Sequence, residues 1–350
     1  MAKRPEPQAE DALKLFKADL KAGTPANFYI FYGEEAFLRE YYLSMLVKTV
    51  LDGPAADFNF HRFTADTLTP EALSAAVEAV PMMAERTLIQ VDDVDLFKAP
   101  EQARAQYLEI LSDLPDYCCL VFVYDTVEFK INGQMRKLAD CIRKYARIVE
   151  FAKQSERDLM AWIARHFRAH GKTISDRNCQ YLIFMTDGMM TTLASEIDKA
   201  AAYACGSEVT KGDLDAVVIP ALNAQAFDIS DAIVKGDFDL ALRKTQELFA
   251  MQTEPLVILG AIGAQLRRLQ YARMITGSGK GQETLMELTG LKSYPAGLTM
   301  SAARKVTDRF CRRAMELCLQ ADADMKRSFD DPGRILELLI VQLAQEARHG

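Results

Sequence analysis

Short apolar runs alternate with amphipathic stretches over the first 150 residues. Five runs have the length and composition of strands: Asn27–Tyr32, Phe58–Phe63, Thr87–Val91, Cys118–Tyr124 and Arg147–Phe151. Helical periodicity fills the intervals, at Ala36–Leu51, Pro70–Val80, Pro100–Leu111 and Gly133–Tyr145. Because apolar strands separated by helices form parallel sheets with helices on both faces, this region predicts an α/β domain.

From Ser155 onward the pattern changes to one helix after another. Four predicted helices form a small bundle: Ser155–His170, Ser175–Met185, Met189–Ala204 and Lys211–Val218. After Ile219 and Pro220, a longer helical region runs from Phe227 almost to the C-terminus, with a glycine-rich loop at Thr276–Gly281. The predicted fold class is therefore α/β plus all-α.

The first predicted strand leads into Gly33, Glu34 and Glu35 at the start of a helix. A phosphate-binding loop at this position needs further glycines, a lysine and a hydroxyl, and all three features are missing. Since a helix N-terminus favours anions, Glu34 and Glu35 would satisfy its N–H groups and repel a triphosphate. The segment alone fits either ordinary helix capping or a nucleotide-binding scaffold that has lost its nucleotide.

The predicted third strand ends in Asp92 and Asp93. An aspartate at such a strand end coordinates magnesium in related ATPases, but acids at strand ends also form ordinary solvated turns. Without a lysine or hydroxyl in the first loop, these acids would have no phosphate-bound magnesium to hold. The combination favours descent from an ATPase without ATP hydrolysis.

Two adjacent methionines, Met82 and Met83, follow Pro81 just before that strand. Pro81 should end the preceding helix or begin a turn, which leaves both methionines at the edge of an element. Methionine is a common filler of hydrophobic cores, and its flexible thioether also suits insertion into a groove on a partner. Both interpretations are open from this segment alone.

Composition limits the class of protein. The 350 residues are 49% hydrophobic and 26% charged, as in a soluble chain of two or three domains. The longest apolar runs are too short to cross a bilayer, and the charged segment Met1–Asp11 is unlike a signal peptide, so we expect a cytoplasmic protein without membrane contact. The seven cysteines and four histidines show no zinc-binding spacing, so we expect neither a metal nor a cofactor.

Charge is distributed unevenly along the chain. The net charge is −7, yet residues 260–313 contain ten basic and three acidic side chains. Such a segment can be a solvated helix face, or it can mark a surface that faces DNA.

Several short segments of the sequence form an ordered set. They are Phe28–Glu35 followed by Leu38, Pro81–Arg86 leading into Thr87–Asp93, Trp162 and Ile163 with Gly171, Leu193–Lys199, Phe227–Ala232, Pro255–Leu259 and Gln265–Leu269. In this order and spacing they resemble the delta subunit of the bacterial DNA polymerase III clamp loader. The resemblance spans about residues 27 to 345.

The resemblance implies three domains. Residues 1–152 would form an AAA+-like α/β domain without a functional P-loop, residues 153–219 a helical lid-like domain, and residues 220–350 a helical collar. It also implies a non-catalytic chain that assembles with ATPase motor subunits and a delta-prime subunit, within a holoenzyme that has DNA-directed DNA polymerase activity. The other implied partners are the sliding clamp and primer-template DNA.

The resemblance also implies which residues act. The apolar residues that grip and open the clamp would be Val80, Met82 and Met83, although family members often have an aromatic residue at the position of Met83. Independently of the resemblance, the basic segment suggests that Arg304 and Lys305 contact DNA and that Tyr294 stacks on an unpaired base; the family has a similarly placed aromatic residue near Tyr294. Alternatively, Tyr294 packs against the collar and the arginines serve subunit contacts.

Two other functions remain as alternatives. An AAA+-type ATPase would need the missing Gly-Lys-Ser/Thr sequence. A DNA-binding regulator would use the basic segment and the helical C-terminal half, but the overall acidity and the long α/β region count against it.

Overall fold

A computed structural model describes residues 9–51, 53, 55–327 and 330–349. Tertiary contacts divide the chain into two compact units, residues 1–154 and 155–350. Both predicted helical domains fall within the second unit, and the division at residue 219 stays a prediction. Residues 1–8 of the charged N-terminal segment lie outside the described residues.

The first unit alternates helices and strands along the chain. Its elements are α1 (Ala9–Ala22), β1 (Phe28–Tyr32), α2 (Ala36–Val50), β2 (Phe60–Phe63), α3 (Pro70–Glu78), β3 (Thr87–Asp92), α4 (Glu101–Ser112), β4 (Cys118–Val123), α5 (Arg136–Tyr145) and β5 (Arg147–Glu150). Two short 3₁₀ turns occupy Ala56–Asn59 and Leu96–Lys98.

The five strands form one parallel sheet in the order β2-β3-β4-β1-β5. Alternate side chains of β1 enter two separate cores: Phe28 and Ile30 pack on one face, and Tyr29 and Phe31 on the other. A strand covered on both faces is apolar throughout, which explains the continuous runs in the sequence. The predicted parallel α/β domain is confirmed.

The second unit is almost entirely helical. Its helices are α6 (Glu156–Ala169), α7 (Asp176–Met185), α8 (Met190–Tyr203), α9 (Lys211–Val217), α10 (Leu222–Lys235), α11 (Phe238–Ala250), α12 (Pro255–Gly277), α13 (Gln282–Thr289), α14 (Ser293–Ala303), α15 (Asp308–Arg327) and α16 (Pro332–His349). Ser155, Ser175 and Thr210 cap the N-termini of α6, α7 and α9 through their hydroxyls, the local signal for helix starts.

Several elements differ from the sequence predictions. Helix α1 and a two-stranded parallel ladder, β6 (Thr173–Ile174) and β7 (Glu208–Val209), were not predicted. Helix α12 continues through Gly277 into the predicted loop. Six cysteines are buried as expected of apolar side chains, whereas Cys205 is exposed.

In the described part of the chain, no single helix is long and apolar enough to cross a membrane. Helices α9 and α10, which are bent relative to each other, reach the length and apolar composition of a membrane span only when they are taken together.

Candidate functional site

The turn after β1 is closed by the protein itself. Gly33 has φ +122°, and a Cβ atom added there would lie 2.4 Å from the carbonyl oxygen of Phe151. The same carbonyl accepts a hydrogen bond of 2.9 Å from the backbone N–H of Glu35. The backbone after β5 therefore covers the turn where a phosphate-binding loop would need free N–H groups.

A buried arginine that sequence analysis did not single out occupies the same place. The side chain of Arg39, in α2, is 3% exposed. It donates a hydrogen bond of 2.6 Å to the carbonyl oxygen of Gly33 and pairs with the carboxylate of Asp125. A buried guanidinium needs such partners, since an unpaired charge in the interior is costly. The helical spacing of the sequence could have indicated the burial of Arg39, because Arg39 lies on the same side of α2 as the apolar residues Leu46 and Val50.

The two glutamates after Gly33 do not cap α2 as predicted. Glu35 is the N-cap residue and is buried, but its side chain makes no capping hydrogen bond. Glu34 instead pairs with Lys153 at 2.8 Å, with both side chains largely exposed, so the pair contributes little to stability. The capping expectation is wrong for Glu35.

Asp92 and Asp93 are both engaged by neighbouring protein groups. The carboxylate of Asp92 accepts hydrogen bonds from Arg62 Nε at 2.6 Å and from Gln90 Nε2 at 2.7 Å. That of Asp93 accepts hydrogen bonds from the backbone N–H groups of residues 125–127 and from the Thr126 hydroxyl. Partial burial acts to raise the pKa of Asp93, but these hydrogen bonds outweigh it and hold the pKa below its usual range.

Asp93 thus organises the loop after β4, whereas Asp92 bonds to side chains of β2 and β3, and both carboxyl groups have their oxygens occupied. Among the described residues, no group of three or more His, Cys, Asp or Glu side chains could hold a metal ion. The carboxyl edge of the sheet is therefore filled by internal hydrogen bonds and ion pairs at each position where the sequence suggested a nucleotide site.

The opposite edge of the sheet carries an exposed apolar loop between α3 and β3. The predicted helix Pro70–Val80 is two residues too long, because α3 ends at Glu78 and leaves Val80 outside it. A residue before proline is driven out of the helical conformation. The exposed fractions are 78% for Val80, 49% for Met82 and 85% for Met83. The two methionines are therefore not core filler.

The backbone of this loop is held by a buried asparagine. Asn59 is 1% exposed. Its Oδ1 accepts a hydrogen bond of 2.7 Å from the N–H of Met82, and its Nδ2 donates bonds of 2.9 Å to the carbonyl oxygens of Met82 and Ala55. The side chain thus satisfies both backbone polar groups of Met82, as a strand partner would.

Both ends of the loop are also anchored, and its centre is strained. The Tyr117 hydroxyl donates to the carbonyl oxygen of Glu78, and Arg86 donates to the carbonyl oxygen of Pro25 and to Asn27 Oδ1. Met83 has φ +52°, a left-handed conformation that is unusual for a large side chain. Such strain persists only where the surroundings impose it, and it is frequent at functional positions.

The three residues considered for DNA contact lie at opposite ends of α14. The ring of Tyr294 packs 5.7 Å from that of Tyr181 and 5.8 Å from that of Phe184, and its partial burial raises its pKa. Arg304 and Lys305, at the other end of the helix, are exposed. A helix of this length separates its ends by about 15 Å, so the structure does not bring Tyr294 to these cations.

Several of the basic side chains in residues 260–313 have no acidic partner. Arg273 pairs with Asp308, and Arg313 pairs with Glu316 and Glu346. Within the described ranges, six others are exposed without a salt bridge: Arg267, Lys280, Arg304, Lys305, Arg309 and Arg312. Positive charge without acidic partners therefore remains exposed in this part of the second unit.

Comparison with known proteins gives a consistent result over nearly the whole chain. Sequence profiles described as "DNA polymerase III, delta subunit" and "DNA polymerase III delta subunit, C-terminal domain" match residues 29–152 and 223–343. DNA polymerase III subunit delta of Bacillus subtilis is 24% identical over 93% of this chain and 94% of its own length. A probable DNA polymerase III subunit delta of Aquifex aeolicus is 19% identical, covering 91% of each chain.

A solved structure shows the same fold. The Bacillus subtilis DNA clamp loader delta protein superposes with a TM-score of 0.56 at 22% identity, covering 97% of this chain and 100% of that one. This match confirms the predicted fold class, α/β plus all-α, with a parallel-sheet domain followed by helices. With both profiles and the curated relatives in agreement, the chain belongs to the DNA polymerase III delta subunit family.

Proposed function

We propose that this chain is the subunit of a DNA polymerase III clamp loader that binds the sliding clamp and opens it for loading onto primer-template DNA. One observation carries the proposal: Val80, Met82 and Met83 project from an anchored loop into solvent. Large apolar side chains clustered on a surface mark sites of interaction with other proteins. The chain itself would catalyse no reaction.

The loop supplies binding energy without first having to become ordered. Asn59, Tyr117 and Arg86 already fix its backbone, so association costs mainly the rotamer freedom of the side chains. Unbranched thioether side chains adapt to an irregular pocket. A pocket that closes fully around them only in the opened clamp would shift the clamp toward that state, since a ligand favours whichever state it binds more tightly.

The arrangement separates clamp binding from nucleotide chemistry. The apolar loop precedes β3, whereas Arg39 and Asp93 lie beyond the carboxyl ends of the strands. ATP would therefore act on the motor subunits, whose movements would expose or cover the loop. The C-terminal helices would join those motors and the delta-prime subunit.

The proposal is tested with the purified chain and the sliding clamp of the same organism. Surface plasmon resonance should detect a complex, and a pair of fluorophores placed across one clamp interface should separate when the chain is added. Absence of any complex, or a complex that leaves the fluorophores together, would show that this chain does not open the clamp.

The isolated chain is expected neither to bind nor to hydrolyse ATP. Arg39 and the Phe151 carbonyl already occupy the turn after β1, and the carboxylates of Asp92 and Asp93 are taken up by protein groups. Titration calorimetry with ATP and magnesium, with a motor subunit as positive control, should give no heat of binding. Micromolar affinity would revive the alternative of an AAA+-type ATPase.

Replacing Arg304 and Lys305 with glutamate is expected to weaken primer-template binding by the assembled loader. It should also flatten the salt dependence, since each lost phosphate contact removes about 0.9 from the slope of log K against log salt.

Tyr294→Ala should cost about 1–3 kcal/mol of DNA binding if the ring stacks on a base, with the slope unchanged.

Controls separate DNA contact from folding. Glutamate replacements at the exposed Lys98 and Lys130 change the net charge by the same amount as those at Arg304 and Lys305. For Tyr294→Ala, Trp162 fluorescence reports whether the second unit still folds when the ring no longer packs on Tyr181 and Phe184. If DNA affinity is unchanged by all these substitutions in the intact assembled loader, the basic segment serves subunit contacts.

A further inference from the structure

A large aromatic side chain stands beside the apolar loop. Phe58 was expected to begin the second strand, but β2 starts at Phe60, and Phe58 lies in the 3₁₀ turn Ala56–Asn59. Its side chain is 69% exposed. A phenylalanine within β2 would be covered by a neighbouring strand or helix, whereas the turn leaves this ring in water.

Sheet topology brings this turn to the same edge as the methionines. Strands β2 and β3 are parallel neighbours, and Phe60 is in register with Leu88. Phe58 therefore precedes the amino end of β2 just as Met82 and Met83 precede the amino end of β3. Neighbouring parallel strands lie about 4.8 Å apart, so the segments that enter them are adjacent.

A direct side-chain link fixes the two segments to each other. Asn59 follows Phe58 in the chain, and its carboxamide holds the N–H and the carbonyl of Met82. The residue that positions the methionine loop is thus the immediate neighbour of the exposed ring. A displacement of either segment would break these hydrogen bonds, so the two segments stay fixed to each other and present the ring and the thioethers at the same edge of the sheet.

We propose that Phe58 is a fourth contact of the clamp-binding surface. This inference rests on the proposed function and names the same partner, an apolar pocket of the sliding clamp. A phenylalanine can bury 150–250 Å² of surface, and aromatic residues are enriched in protein interfaces. Phe58 would supply an aromatic contact beside the thioethers of Met82 and Met83.

The test is Phe58→Ala, with clamp binding measured by surface plasmon resonance. We expect the affinity to fall roughly 10-fold to 100-fold, the range for a well-packed interface aromatic. The melting temperature should be unchanged, because truncating an exposed ring leaves no cavity. Tyr145→Ala is the matched control: this aromatic residue is 42% exposed and lies beside β5, at the far edge of the sheet from β2.

A double-mutant cycle with Met83→Ala adds a second measurement. If Phe58 and Met83 enter one pocket, their effects on affinity should be non-additive, whereas distant side chains would give additive effects. Normal affinity for Phe58→Ala, together with a loss for the methionine variants, would overturn this inference and leave the proposed function intact. No binding by the unaltered chain would overturn both.

Discussion

Alanine at both Met82 and Met83 is expected to reduce clamp affinity by about 3 kcal/mol, roughly a hundredfold, as truncation of central interface residues does. Both side chains are exposed at the tip of a loop whose backbone Asn59 holds in place. Their removal takes apolar surface out of the interface without opening a cavity in the protein. Titration of labelled clamp with each variant would give the affinity, and thermal denaturation the stability.

A matched control comes from exposed methionines elsewhere. Met189 and Met274 belong to the second unit and are exposed to a similar degree. Alanine at both positions removes the same chemical groups and should leave clamp binding by the isolated chain unchanged. The proposed interface would be wrong if the two double variants bound the clamp equally well, or if the Met82 and Met83 variant melted much earlier yet still captured it.

Gly33→Ala is expected to destabilise the first unit by about 2–6 kcal/mol, the sum of backbone strain and overpacking. The residue has φ +122°, which a side chain disfavours, and the new Cβ would meet the backbone of Phe151 at 2.4–2.7 Å. Because the contacted atoms belong to the backbone after β5, relief would require separating β1 from β5. The turn would then lose its closed geometry.

Gly53→Ala separates the two contributions. Gly53 has a similar φ of +104°, but nothing lies within 4 Å of its added Cβ, so only conformational strain should appear, about 1–2 kcal/mol. The single tryptophan, Trp162, lies in the second unit, so native-state hydrogen exchange at β1 and β5 is the suitable measurement. Equal losses of stability for the two substitutions would show that the Phe151 backbone moves easily and that the turn is not rigidly closed.

Local patterns were sufficient for most of the secondary structure. Strands β1, β3 and β4 were found because they are largely apolar runs bounded by polar turns, and the start of α6 because Ser155 supplies a capping hydroxyl. Helix α1 was missed although Leu13, Phe16 and Leu20 recur at helical spacing. In the folded chain its Phe16 packs against Tyr29 and Phe31. Another error occurred where tertiary contacts decide. Phe58 fits a strand by composition, but the chain turns there because Asn59 bonds to Met82.

The candidate site shows the same division between features set by neighbours in the chain and features set by tertiary contacts. The sequence by itself established that no P-loop follows β1, that acids follow β3, and that paired methionines come after a proline, since these are statements about neighbours in the chain. Only the tertiary structure showed that Arg39 pairs with Asp125, 86 residues away, and that Asn59 holds Met82 across 23 residues. Exposure of Met83 and closure of Gly33 depend on which distant atoms surround them, and periodicity records burial along an element but not the identity of its partners.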